Sequence, residues 1–208
     1  MKREWIDEKL NLLSIKLDGF KTDSSRFFFE PTEEIYRNLE SGDENELHFV
    51  VAKIAEHLEI PIVPIVRYDW GLKMDPEVAG QIQNMYQLNA IRIPFFYVGK
   101  KYAIGNILAH EMTHAFLFSK GIFFNDLNEN EKFTDLTAVF IGLGKLMLNG
   151  LTVMPNQYLA EVQILGYLPL DSIVYAFKNI CERRSVSLEL ATKNLVPEAI
   201  SKISAFNK

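Results

Sequence analysis

The sequence has little from which to build covalent cross-links or a metal cage made of histidine alone. Cys181 is the only cysteine in 208 residues, so no internal disulfide is available, which fits a reducing, cytoplasmic setting. Histidine is nearly as scarce: His48, His57, His110 and His114 are the whole supply, and none follows His114. A three-histidine site of the H-E-x-x-H-x-x-G-x-x-H type is thereby excluded, because Leu117 and Lys120 stand where its glycine and last histidine belong. Long apolar runs are missing too. The longest, Leu136 to Leu148, is interrupted by Lys145 and is too short to span a bilayer. Positive charge is in deficit, with 22 Lys and Arg against 27 Asp and Glu, a net charge of -5 and no dense basic cluster. That balance argues against a nucleic-acid partner, since phosphate contacts need a positive face. There are no internal repeats and no low-complexity tract, and nothing in the sequence sets an oligomeric state.

Against this background one short stretch stands out: His110-Glu111-Met112-Thr113-His114. On a helix, residues four apart share a face, so both imidazoles can reach one metal ion while Glu111 stands close enough to take a proton from water on that ion. Zinc is the expected ion. The surrounding residues support a helix over Tyr102 to Phe118, because Ile104, Ile107, Leu108, Met112, Ala115 and Phe116 recur at three- and four-residue steps with no proline. Two histidines on an ordinary helix are the plain alternative.

A catalytic zinc of this kind takes a third protein ligand and keeps a position open for water. With histidine exhausted, that ligand must be a carboxylate. Asn130-Glu131-Lys132-Phe133-Thr134-Asp135 opens a second apolar helical run, and Glu131 and Asp135 lie on one face of it. Either could serve.

The two motifs in this order resemble the thermolysin-like gluzincins, in which an H-E-x-x-H helix is followed by N-E-x-x-S/T-D on a second helix; here the sequence reads H-E-M-T-H and then N-E-K-F-T-D. The resemblance implies His110, His114 and Glu131 as zinc ligands, Glu111 as general base, and Asp135 as a carboxylate behind a ligand histidine. A carboxylate there fixes the ring's tautomer and raises its basicity. The tract through Thr134, Asp135, Leu136, Val139, Phe140, Gly142, Leu143 and Gly144 is also similar to uncharacterised bacterial zincin-type proteins. Two departures stand beside these matches. The spacer between His114 and Glu131 is shorter than in thermolysin, and no later histidine exists to stabilise a transition state. Tyr102 and Tyr167 are candidate hydroxyl donors for that task, with a packing role the plainer reading of each.

Elsewhere the sequence predicts an N-terminal helix on Trp5, Ile6, Leu10, Leu13 and Leu17, ending near Gly19, with charges too frequent for a signal peptide. A short helix from Pro31 to Leu39 and a longer one from Glu44 to Leu58 follow, with Phe27-Phe28-Phe29 packed on the core ahead of them. His48 and His57 are read as solvated or capping residues. Strands are predicted within Ile60 to Tyr68, Val78 to Ile82 and Ala90 to Tyr97, the last as the cleft edge that an extended peptide would join. An interior position for it is the alternative. After the second motif helix the chain is expected to turn at Asn149-Gly150, pass Met154-Pro155, and form helices from Leu170 to Arg184 and in the final segment.

The sequence thus predicts one α+β domain over residues 1–208, zincin-like by resemblance. Residues 1–58 form a helical region, 59–150 carry the sheet, active-site helix and third-ligand helix, and 151–208 form a helical cap. The expected function is zinc-dependent hydrolysis of a peptide or protein substrate, with one zinc per chain, no nucleic acid and no membrane. The alternatives are a regulatory protein that cleaves one cellular partner and a non-enzymatic zinc-binding protein, for which Glu111 would have no use.

Overall fold

The computed structural model describes residues 2–20, 23–61, 63–70, 81–83, 90–153 and 166–206, and among the described residues nine α-helices and a three-stranded sheet make a mixed α+β fold dominated by helix. The N-terminal region comprises α1 (Arg3–Lys16), α2 (Glu33–Glu40) and α3 (Glu44–Leu58). Each starts or buries as its residues dictate. Thr32 accepts from the Ile35 amide at the start of α2, and Asp43 accepts from Asn45 at the start of α3, each satisfying a backbone donor left free at a helix start. Ile6, Leu10 and Leu13 are fully buried on α1. Phe27, Phe28 and Phe29 lie at or below 7% exposure, inside the core and in irregular backbone. His48 is exposed, and His57 Nε2 lies 3.2 Å from the Ile141 carbonyl oxygen at the end of a later helix, in a capping role.

The sheet holds β1 (Ile65–Asp69), β2 (Gln81–Gln83) and β3 (Ala90–Pro94) in the order β1-β3-β2. β1 runs parallel to β3, and β2 antiparallel. The expectation that Ala90 to Tyr97 forms the cleft edge is therefore corrected: β3 is the central strand and ends at Pro94, with residues 95–97 in a 3-10 turn. Ile91 and Ile93 are fully buried, as a strand bonded on both sides and covered by helix requires. Val78 to Gly80, from the predicted second strand, and Met154-Pro155 lie outside the described residues.

The long central helix α4 (Lys101–Ser119) carries the first motif and α5 (Leu127–Phe140) the second. Ile104, Leu108, Met112 and Phe116 of α4 have no exposure, and each contributes about 1.5–3 kcal/mol relative to a solvated side chain. Asp126 caps α5 by accepting from the Glu129 amide at 2.7 Å. The apolar run that follows is split by Gly142. At φ +96° this glycine ends α5 with paired bonds from Leu143 N to Ala138 O and from Gly142 N to Val139 O, a left-handed helix stop that disfavours any residue with a Cβ.

Beyond the stop lies α6 (Gly144–Val153), bent 114° from α5. The turn expected at Asn149-Gly150 is absent; both residues are inside α6. Asn149 donates to the Tyr36 hydroxyl and the Asn194 carbonyl and accepts from Val196 N, so its polar side chain is consumed by long-range bonds rather than by a turn. Lys145 is fully buried too. Its ammonium meets Glu30 Oε1 and the Leu190 carbonyl oxygen at 2.7 Å each, so the charge that interrupts the apolar run is paired rather than solvated. Helices α7 (Leu170–Arg183), α8 (Leu188–Thr192) and α9 (Pro197–Ala205) complete the chain. A single hydrophobic cluster runs from Ile6 through the sheet and central helices to Ile203.

Candidate metal centre

Because α5 returns alongside α4, the two motifs face each other. His110 Nε2 and His114 Nε2 are 3.0 Å apart, and Glu131 Oε2 lies 3.0 Å from the first and 3.1 Å from the second. Among the described residues this is the one group of three or more His, Cys, Asp or Glu side chains able to hold a metal ion. All three predicted ligands are brought together.

The other ring nitrogens decide what these atoms present to each other. His110 Nδ1 lies 2.8 Å from Asp135 Oδ1, and the second oxygen of Asp135 accepts from the amides of Tyr167 and Leu168 at 2.5 and 2.8 Å. Asp135 thus acts as an acceptor throughout, and His110 Nδ1 donates to it. His114 Nδ1 faces Thr134 Oγ1 at 3.4 Å, and that hydroxyl gives its proton to the Asn130 carbonyl at 2.9 Å. Thr134 therefore offers His114 a lone pair. With both Nδ1 atoms as donors, the neutral form of each ring turns its Nε2 lone pair toward the carboxylate oxygen of Glu131.

Three lone pairs converging at about 3 Å repel one another unless a proton or a metal ion lies between them, and tetrahedral zinc with bonds of roughly 2.0–2.2 Å spaces its ligands at about 3.3 Å. The donor set fits such an ion after separating by a few tenths of an ångström. Two nitrogens and one carboxylate oxygen also match the ligand types of catalytic rather than purely structural zinc sites.

Charge at the site favours a cation. Burial opposes a charged His110 ring, but hydrogen bonds to Asp135 and Glu131, with Glu111 nearby, outweigh it and raise its pKa to about 10, so without a metal a proton on Nε2 faces Glu131 in the place a metal ion would take. Burial likewise opposes the Glu131 carboxylate, yet the two imidazoles hold it well below the usual carboxylate range. Glu111 itself is only 4% exposed.

Asn130 and Thr134 are neighbours of the cluster to which sequence reasoning gave no role. Asn130 Oδ1 accepts from Phe124 N at 3.0 Å, tying the loop between the motif helices to the first turn of α5. Both residues sit inside the N-E-x-x-T-D match, which was the available signal. The tyrosines divide. Tyr102 packs edge-on against Tyr36 at 4.8 Å between centroids, whereas Tyr167 lies against His110. No single helix among the described residues is long and apolar enough to cross a membrane. Compared with protein families, characterised proteins and solved structures, the chain matches none.

Proposed function

We propose that this protein is a zinc-dependent hydrolase of peptide bonds, zincin-like in its fold and site, with Glu111 as general base. The observation that carries the reading is the convergence of His110 Nε2, His114 Nε2 and Glu131 Oε2, with each ring held from behind by the adjacent pair Thr134 and Asp135. Zinc, when bound there, would supply Lewis-acid polarisation of the scissile carbonyl and of the attacking water.

The chain's own groups do the rest. His110, His114 and Glu131 would hold the ion, and three protein ligands of these types would leave room for solvent or substrate, as in a catalytic site. Asp135 and Thr134 fix the tautomers of the neutral rings so that their Nε2 lone pairs face inward. Glu111 follows His110 in sequence, is excluded from the ligand group and is nearly removed from bulk water. In this reading it accepts the proton of the attacking water and returns it to the leaving amine. A purely structural metal site would have no use for this carboxylate. The residues and the lack of a basic face favour a peptide or protein substrate over nucleic acid.

Metal analysis of the purified chain with hydrolysis of a mixed peptide library, before and after chelation, tests the reading. About one zinc per chain and chelator-sensitive cleavage are expected, and His110→Ala or His114→Ala abolishes both. Full zinc occupancy in either variant overturns the site.

A further inference from the structure

The short segment Gly166-Tyr167-Leu168 lies far from both motifs in sequence yet touches the candidate centre twice. Its amides at 167 and 168 donate to Asp135 Oδ2, and the Tyr167 ring stacks on His110 with centroids 5.7 Å apart and planes inclined by 26°. That spacing and tilt suit an offset aromatic pair. We propose that this segment is a retaining clasp on the metal centre, in which Tyr167 is a positioning residue acting through His110; the proposal rests on the metal reading above.

The clasp is built from three features. Asp135 has no exposure, and one of its oxygens holds the imidazole while the other holds the backbone of the segment, so the ring and the segment are fixed by a single carboxylate. Gly166 permits this approach: its φ is +96°, and a Cβ there would meet Asp135 Oδ2 at 3.2 Å. Leu168, 2% exposed, anchors the other end in the core immediately before Pro169 and α7. Asp135 restrains His110 at its edge, and Tyr167 restrains it at its face. The two contacts together fix both the swing and the tilt of the ring, which a ligand must keep to hold an ion. Tyr167 remains 40% exposed, so it stands between the ligand ring and solvent.

Zinc release to excess chromogenic chelator tests the clasp, followed for the wild-type chain, Tyr167→Ala, Tyr167→Phe and Tyr175→Phe, with thermal unfolding of each metal-free form. Tyr175 is the control. Its hydroxyl bonds Asp7 and ties α7 to α1, so its loss loosens the C-terminal layer without touching the clasp. Tyr167→Ala is expected to release zinc about tenfold faster or more, the range seen when outer groups around a metal are removed. Tyr167→Phe keeps the ring and the wild-type rate, and Tyr175→Phe lowers unfolding temperature without faster release. A wild-type rate in Tyr167→Ala overturns the clasp alone. So does equal acceleration in Tyr175→Phe, which would reduce the effect to general loosening, or in Tyr167→Phe, which would remove the stacked ring as its cause. A wild-type chain that takes up no zinc overturns the metal reading itself.

Discussion

Thr134 Oγ1 stands 3.4 Å behind His114 Nδ1, with its own proton given to the carbonyl of Asn130. The contact is long, but its direction is forced, because a hydroxyl whose hydrogen is committed can only accept. One residue on, Asp135 does the same for His110 at 2.8 Å. Adjacent positions on α5 diverge by about 100° around the helix, and the two histidines they serve are one turn apart on α4. The neighbouring letters T and D therefore order two different rings.

Glu111 carries the next prediction. Glu111→Gln removes the only proton acceptor proposed for the attacking water while changing no metal ligand. Zinc content is expected to stay at the wild-type level, and peptide hydrolysis to fall by about 100-fold or more. Parallel metal analysis and turnover measurements check it; normal turnover in the variant assigns the base to another group.

What could be read from the sequence was what depends on local spacing. The helix on residues 102–118 and the placing of His110 and His114 on one face of it follow from four-residue steps, whereas spacing alone left Glu131 and Asp135 level and only the resemblance of the second motif favoured Glu131. Gly166-Tyr167-Leu168 was not legible as part of the site, because its contacts with Asp135 and His110 are backbone bonds and a ring stack across more than 30 residues of sequence. The position of β3 was ambiguous for a related reason: strand order is set by pairing with distant segments, and alternation alone does not say which flank stays open. Asn149-Gly150 misled differently. The pair has the local signature of a turn, but Asn149 reaches Tyr36 and Asn194, and Gly150 lets α6 lie against α4.

Gly150 gives a stability prediction in which two effects oppose. Alanine in a helix is favoured over glycine by about 1 kcal/mol, which on its own would make Gly150→Ala stabilising. A Cβ at that position, however, would stand 2.6 Å from Asn106 Cβ and 2.7 Å from the Tyr102 carbonyl oxygen, neither of them the end of a flexible side chain. Overpacking costs about 1–3 kcal/mol, so net destabilisation is expected. A lower urea midpoint with unchanged slope checks it. A raised midpoint would mean that α6 can move off α4 without cost.

Cys181 yields a pH prediction. Burial raises its thiol to about 12, with only partial relief from the positive charge of Lys145. A raised pKa leaves the neutral thiol dominant at pH 8, and the thiolate is the reactive form. Modification by a thiol-disulfide reagent is expected to run more than about 100-fold slower in the native chain than in denaturant at pH 8. Comparable rates in the two states would show that Cys181 is ionised and accessible in the fold.

Glu131 and Asp135 share a face of α5 and both touch His110, yet their positions predict different damage. Glu131 places one oxygen within 3.1 Å of both Nε2 atoms, whereas Asp135 meets only Nδ1 of one ring and spends its other oxygen on two backbone amides. Glu131→Gln removes an anionic ligand and is expected to empty the site under competition with a chromogenic chelator. Asp135→Asn leaves all three ligand atoms in place but weakens the hold on His110, so zinc affinity should fall about 10- to 100-fold while excess metal still fills the site. Because Asp135 also anchors residues 167 and 168, its variant should lose more thermal stability in the metal-free form than Glu131→Gln, which loses the ion pair of Glu131 with the two imidazoles but no backbone anchor. Titration of both variants, paired with unfolding of their metal-free forms, separates the roles. If Asp135→Asn loses zinc outright and Glu131→Gln keeps it, the third ligand is Asp135, and α5 must turn on binding to bring a buried carboxylate around His110 to the ion.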